Sequence, residues 1–462
     1  VEKPIMSVSG IRGKFGEDLS AELLRAVAYI QTKIYNGKNV IIGRDTRPSG
    51  IAIEKALCQG IRAAGGTPVS IGIATTPTTC FATRYFEAHS GIIITASHNP
   101  NPYNGYKAVH SSGRLLNAQE CSAIYEKYNN GEYLSDLEFE VFDKEPERIE
   151  MSAVSAHVSS ILENVDVELI KDAGIRVAVD TINGAASSAV GELLNSLGVR
   201  YECINCKSNG DFVHNPEPRP AHLLELQNLL KTKKDFWAGF AFDPDGDRLA
   251  TMGENGEAIC EEMTLALSMA NVLAKQKSDV ATNLSTSMVI DDVAKNFGVN
   301  VIRTKIGEAN VVDAIRENHL LLGGEGNGGV IYPKVSMVRD GLVAIALIIE
   351  CMAKNGKKIT QLTSQYKEYP IVKEKISIKK LEPQEILAKL TKVFANEKID
   401  TQDGLKIIYD DGWVHIRSSN TEPIMRVYAE AITQKRARQL AKKVINKVNL
   451  YNLRRLVLGG RL

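Results

Sequence analysis

Little in this chain marks a special class. Its 462 residues hold only 2 tryptophans and 7 cysteines. The cysteines are odd in number and thinly scattered, so no disulfide framework is implied. The one close pair, Cys203 and Cys206, has no second Cys-x-x-Cys to complete a zinc site and reads as two ordinary thiols. A charge excess of either sign is also missing. Lys+Arg number 56 against 55 Asp+Glu, a net charge of +1, which argues against nucleic-acid or membrane-surface partners. Long apolar runs are absent too: Leu342 to Ile349 lies between Asp340 and Glu350 and falls well short of the roughly 20 residues of a span. The uncharged stretch Ala63 to Thr83 contains Pro68, Pro77 and several glycines and reads as loop and strand. The start, Val1-Glu2-Lys3-Pro4, has no signal-peptide core. These absences predict a cytoplasmic protein; a monomer or homodimer is expected, with nothing in the sequence to choose between them.

What is present is an ordinary globular composition, 44% hydrophobic and 24% charged, on a chain long enough for about three or four domains. Short β-rich runs alternate with helical stretches: strand Asn39–Gly43, helix Ile51–Ala64, strand Val69–Gly72, part of a helix at Phe81–Phe86, strand Gly91–Thr95. The alternation returns with strands Ile175–Asp180 and Ala238–Phe242 around a helix Ala185–Leu197. It returns again with strands Val280–Leu284 and Val299–Ile302 around a helix Met288–Phe297. Such alternation implies parallel-rich sheets covered by helices. After about residue 370, close-spaced strands Lys406–Tyr409, Trp413–Ser418 and Ile424–Ala431 precede a helix Lys435–Val448, an antiparallel α+β texture. The expected fold is therefore three α/β domains with mixed sheets, 1–148, 149–255 and 256–370, and a smaller α+β domain, 371–462. The tail from Tyr451 carries no motif.

Four loops carry chemistry. Thr95-Ala96-Ser97-His98-Asn99-Pro100, with Lys107 beyond, follows a strand and presents a hydroxyl, an imidazole and an ammonium at a sheet's carboxyl edge. Ser97 there suits a nucleophile, or a turn that caps backbone groups. Asp243-Pro244-Asp245-Gly246-Asp247-Arg248 gathers three carboxylates at alternate positions, a magnesium or calcium signal against the blander reading of an acidic turn. An EF-hand would use Glu254 at its twelfth position, but it wants glycine where Arg248 stands and helices on both flanks. Gly323 to Gly329 places five glycines around Glu325 and Asn327, which suits close approach to a hydroxylated ligand or simply a loop. Arg417-Ser418-Ser419-Asn420-Thr421-Glu422-Pro423, with Arg426, is a phosphate nest or a polar hairpin in equal measure. Ser9-Gly10-Ile11-Arg12-Gly13 adds an arginine near the start.

The order nucleophile, metal, hydroxyl grip, phosphate grip resembles the α-D-phosphohexomutase superfamily from the Arg12 loop to the Arg417 loop. The most specific likeness lies in Thr95–Pro100 and Asp243–Arg248. The resemblance implies four domains in a heart shape around a cleft, and a phosphoserine at Ser97. Asp243, Asp245, Asp247 and that phosphoserine would hold one Mg2+. Arg12, His98, Lys107 and Arg248 would surround the phosphoryl group, with Lys107 as general acid or base. Glu325 would meet sugar hydroxyls, and Arg417, Ser419, Asn420 and Thr421 the non-reacting phosphate. The implied reaction interconverts hexose 6-phosphate and hexose 1-phosphate, with a sugar bisphosphate as activator and intermediate. Well-known members resemble Gly-Glu-x-Ser-Gly-His in the sugar loop, where this chain has Asn327 and Gly329 at the serine and histidine positions. That form is similar to phosphoglucosamine mutases. Phosphoglucomutase or phosphomannomutase activity is the alternative, with a phosphatase or a non-catalytic sugar-phosphate binder behind it.

Overall fold

A computed structural model describes residues 4–133, 146, 148–149, 152–378, 382–418 and 424–457. Four sheets follow one another along the chain. The first is mixed and seven-stranded, in the order Ile5–Ser7, Gly10–Lys14, Tyr103–His110, Ser90–Ile94, Asn39–Arg44, Thr67–Ile73, Arg148–Ile149. The second and third have four strands each. Their orders are Leu249–Gly253, Ala238–Phe242, Arg176–Asp180, Arg200–Ile204 and Val301–Thr304, Val280–Asn283, Leu322–Glu325, Gly329–Ile331. The fourth is a five-stranded antiparallel sheet from Ile371–Ser377 to Gly412–Ser418 and Lys398–Asp400, backed by helices Pro383–Val393 and Gln434–Val457. Three α/β domains and a smaller α+β domain are the architecture.

One feature repeats and decides where the chemistry lies. In each of the first three sheets, a strand paired in parallel on one side meets an antiparallel partner on the other. Ser90–Ile94 runs parallel to Asn39–Arg44 and antiparallel to Tyr103–His110. Ala238–Phe242 has the same relation to Arg176–Asp180 and Leu249–Gly253, as Leu322–Glu325 has to Val280–Asn283 and Gly329–Ile331. The connection into that antiparallel partner is the Ser97 loop, the aspartate loop and the glycine loop in turn. In the fourth sheet Gly412–Ser418 pairs antiparallel with Ile424–Ala431.

The apolar run at Leu342–Ile349 is explained by packing. Helix Gly341–Asn355 is buried from Gly341 to Met352, because helix Glu262–Lys275 covers one side and helices Ala153–Leu162, Val167–Asp172 and Ala186–Ser196 cover others. A helix that is apolar all round belongs in a core, and this one joins the second and third domains into a single core. Among the described residues no helix is long and apolar enough to cross a membrane.

Three sequence expectations need correction. The stretch read as loop and strand up to Thr83 becomes helical at Thr76–Tyr85. Pro77 stands in the first turn, where its missing N–H costs nothing, and the Thr75 side chain accepts from the Thr78 N–H as N-cap. The final helix runs to Val457, past the predicted end at Val448 and into the tail. Cys203 and Cys206, read as separate thiols, form a disulfide with Cα atoms 6.2 Å apart. Asn205, at φ 54°, turns the chain back after strand Arg200–Ile204, so the two side chains converge.

Candidate active site

The serine loop is held under strain. Ser97 has φ 51°, a left-handed conformation that costs a non-glycine residue about 1–3 kcal/mol unless its surroundings impose it. They do. The Ser97 N–H donates to Thr95 Oγ1 at 2.8 Å, and Thr95 Oγ1 donates to Asp45 Oδ2 at 2.7 Å. Arg47, fully buried, donates through Nη2 to the Ser97 and Asn99 carbonyls at 2.6 Å each. Its Nη1 reaches the Tyr103 carbonyl at 2.8 Å and its Nε meets Asp45 Oδ2 at 2.9 Å. One guanidinium thus fixes the loop by its backbone and leaves the Ser97 hydroxyl, buried, free to face the cleft and Asp243. Neither Asp45 nor Arg47 was foreseen, although charged residues directly after the buried strand Asn39–Gly43 were the available signal.

Ser97 Oγ lies 3.4 Å from Asp243 Oδ2 and 3.3 Å from His98 Nδ1. Burial, reinforced by Arg248 and Arg12, lowers the His98 pKa to about 4, so its imidazole is neutral at neutral pH. Arg12 Nη1 donates to Asn99 Oδ1 at 3.0 Å.

Asp243, Asp245 and Asp247 are fully buried, and one oxygen from each lies within 4.8 Å of the others. Asp243 is met at both oxygens, Asp245 and Asp247 at one each. Asp243 Oδ1 accepts from the Arg248 N–H at 3.2 Å. Asp245 Oδ2 accepts from Lys107 Nζ at 2.9 Å and Thr76 Oγ1 at 2.7 Å, and Asp247 Oδ2 from Arg339 Nη2 at 2.5 Å. Asp245 Oδ1 and Asp247 Oδ1 are buried and meet no hydrogen-bond partner among the described residues. Burial, then Asp247 and Asp245, pushes Asp243 well above the usual carboxylate range. Burial opposes the Asp245 charge as well, but Lys107 and Thr76 outweigh it and hold this carboxyl below that range. Lys107 is held above its ordinary value: burial works against it, and Asp245 and Asp247 more than compensate. Converging oxygen donors with free lone pairs and no sulfur or nitrogen fit a hard divalent cation. The EF-hand is excluded by the flanking strands, and Glu254 instead accepts from Thr360 Oγ1 at 2.5 Å.

Across the cleft, Glu325 is 5% exposed. Its Oε1 accepts from Asn283 Nδ2 at 2.9 Å and its Oε2 from Arg339 Nη1 at 2.8 Å. Asn327 lies in the loop beside it. Arg417 and Arg426 are Cα partners on adjacent strands of the last domain, with Arg417 Nη1 3.6 Å from Asp403 Oδ2. The described residues enclose a cleft of about 680 Å³ lined by Ser97, Arg248, Glu325 and Asn327, with Arg417 and Arg426 at its far side. Arg12, His98 and Lys107 line it too, and the aspartates lie beneath. Ser419, Asn420 and Thr421 lie outside the described residues. Thr76, Asn283 and Arg339 join the site unforeseen, since each acts across a domain or sheet with no spacing to betray it.

Residues 3–135, 155–256 and 261–369 match the phosphoglucomutase/phosphomannomutase alpha/beta/alpha domains I, II and III, and residues 372–447 match the C-terminal domain. A "Phosphoglucomutase/phosphomannomutase" of Thermococcus kodakarensis is 37% identical over 93% of this chain and 95% of its own. A "Probable phosphoglucosamine mutase" of Methanopyrus kandleri is 35% identical over 95% and 96%. A phosphoglucomutase/phosphomannomutase family protein of Burkholderia thailandensis, known from its crystal structure, superposes with a TM-score of 0.83 at 25% identity, covering 97% of both chains. With four matched domains in order and a relative 37% identical over 93% of this chain, the chain belongs to the phosphoglucomutase/phosphomannomutase family.

Proposed function

We infer that the protein interconverts hexose 6-phosphate and hexose 1-phosphate through a phosphoserine at Ser97 and a sugar bisphosphate, with glucosamine phosphate as its substrate. The observation that carries this reading is the convergence of a strained serine beside the aspartates, a buried aspartate triple and two facing arginines on one cleft. In the forward step a P–O bond to Ser97 Oγ breaks as one forms to the sugar's free hydroxyl oxygen. The hydroxyl proton ends on Ser97 Oγ by way of neighbouring side chains, and the resulting bisphosphate returns its other phosphoryl to Ser97. Arg12 and Arg248 offset charge on the phosphoryl group. His98, neutral beside Oγ, and Lys107 are the side chains placed to carry protons. Asp243, Asp245 and Asp247, with the Ser97 phosphate, would hold a magnesium ion, which when bound adds further neutralisation of the transferring group. Glu325 meets the sugar hydroxyls, and Arg417 and Arg426, with Ser419, Asn420 and Thr421, grip whichever phosphate is not reacting.

Glucose and mannose phosphates form the second reading, favoured by the name of the Thermococcus relative. Rates on glucosamine-, glucose- and mannose-phosphates, measured side by side with magnesium and a sugar bisphosphate present, decide between them. Glucosamine phosphate should be fastest, EDTA should stop the reaction and magnesium restore it. Ser97→Ala should fall below about a hundredth of wild type while remaining folded. Full activity in the alanine variant would remove the phosphoserine from the account.

A further inference from the structure

Arg339, which no sequence motif pointed to, meets three carboxylates of the site. Its guanidinium forks between Asp247 Oδ2 at 2.5 Å and Glu325 Oε2 at 2.8 Å, and its Nε lies 3.3 Å from Glu308 Oε2. One planar group therefore spans the aspartate loop of the second domain and the glycine loop of the third. Its backbone is fixed as well. The Arg339 N–H donates to Glu308 Oε1 at 2.6 Å. The next residue, Asp340, caps helix Gly341–Asn355 through Oδ1 on the Leu342 and Val343 N–H groups. Asp340 Oδ2 is held by His157 Nε2 and Ser336 Oγ at 2.9 Å each. Arg339 thus starts from a rigid point.

The glycine loop is shaped to admit it. Gly329 has an ordinary strand backbone, with no positive φ that would call for glycine. Space is the reason instead: a Cβ there would overlap Arg339 Cδ and come within 2.8 Å of its Cγ. Gly329 is also the Cα partner of Glu325, so the arginine stem passes over the strand pair that carries this carboxylate.

We propose that Arg339 is the residue that positions Glu325 against the sugar and fixes the spacing between the sugar loop and the aspartate loop, and that residue 329 is glycine to make room for it. This rests on the hexose-phosphate reading of the cleft. A lysine could meet either carboxylate but lacks the fork to span both. Phosphate capture by Arg417 lies on a different domain and does not depend on this bridge.

Arg339→Lys should therefore lower kcat by about a hundredfold, the cost of a small misplacement of reacting groups, while KM for the hexose phosphate moves by less than about threefold. Glu325→Gln should cost much less in the Arg339→Lys background than in wild type, since the group it disables is already misplaced. Gly329→Ala, which keeps every charge, should reproduce the kcat loss, and should add almost nothing in an Arg339→Ala background, where no stem remains to be displaced. Should Arg339→Ala fail to fold, the cycle of Gly329→Ala with Glu325→Gln carries the same reading. Penalties that simply add in these cycles, with an active wild type, would overturn the role of Arg339 alone. A wild type inactive on every hexose phosphate would overturn the functional reading and this proposal with it.

Discussion

Arg417 and Arg426 sit directly opposite one another on neighbouring strands, with Asp403 beside Arg417. Their place at the cleft, remote from the aspartates in sequence, suits a phosphate common to all hexose phosphates. A charge-assisted contact of this type is worth about 1.5–3 kcal/mol, roughly ten- to a hundredfold in affinity. Arg417→Lys should accordingly raise KM for glucosamine-, glucose- and mannose-phosphates by similar factors. Glu325→Gln should penalise the three sugars unequally, because in the proposed reading it meets their hydroxyls. Steady-state kinetics on the three substrates would expose a reversed assignment if Arg417→Lys changed the preference and Glu325→Gln did not. The aspartate cluster was legible because its chemistry is local: three aspartates at alternate positions cannot hide. Arg47 and Arg339 were not legible, since an arginine that grips carbonyls or carboxylates on distant loops looks like any surface arginine until the fold assembles them.

At the scale of elements, the loop between Ser90–Ile94 and Tyr103–His110 depends on Arg47 for its shape. Arg47→Met would leave Asp45 buried without its cation, a change that costs about 3–5 kcal/mol. It would also release the carbonyls of Ser97, Asn99 and Tyr103. Amide hydrogen exchange across residues 95–105 should accelerate strongly in this variant, ahead of the rest of the first domain. Unchanged protection there would mean that the loop holds its own conformation. The strand–helix alternation was readable because buried strands and amphipathic helices have different periods. The first turn and a half of helix Thr76–Tyr85 was missed, although its end near Phe81 was read as helical, because Pro77 and the threonines, taken as breakers, act as first-turn and capping residues. The Cys203–Cys206 bridge was missed because cysteine spacing says nothing of the left-handed turn at Asn205 between them.

For the whole molecule, the order of motifs already implied that four loops meet. The contacts between the domains that bring them together left no trace in any local pattern. One such contact is titratable. Glu262, on helix Glu262–Lys275, and Glu430, on strand Ile424–Ala431, are both buried where the third domain meets the fourth. Burial, then Glu430, raises the Glu262 pKa from 4.5 to about 8. Burial raises Glu430 as well, although the Trp413 Nε1 and Met288 N–H groups donate to it. A carboxyl raised in the fold keeps the folded state more protonated than the unfolded chain. Its stabilising effect is complete below about 4.5 and is lost as pH rises through about 8. Melting temperatures across that window should therefore decline more steeply for the wild type than for Glu262→Gln, and parallel curves would mean that the carboxyl does not titrate there. Above this lies the central claim, that Ser97 passes its phosphoryl to a sugar and not to water. The direct measurement follows the label in a single turnover of enzyme phosphorylated on Ser97 and mixed with a hexose monophosphate. The account predicts that label leaves Ser97 for a sugar bisphosphate and returns, with little inorganic phosphate formed. Release as inorganic phosphate at the rate of loss from Ser97, or label on any other residue, would contradict it.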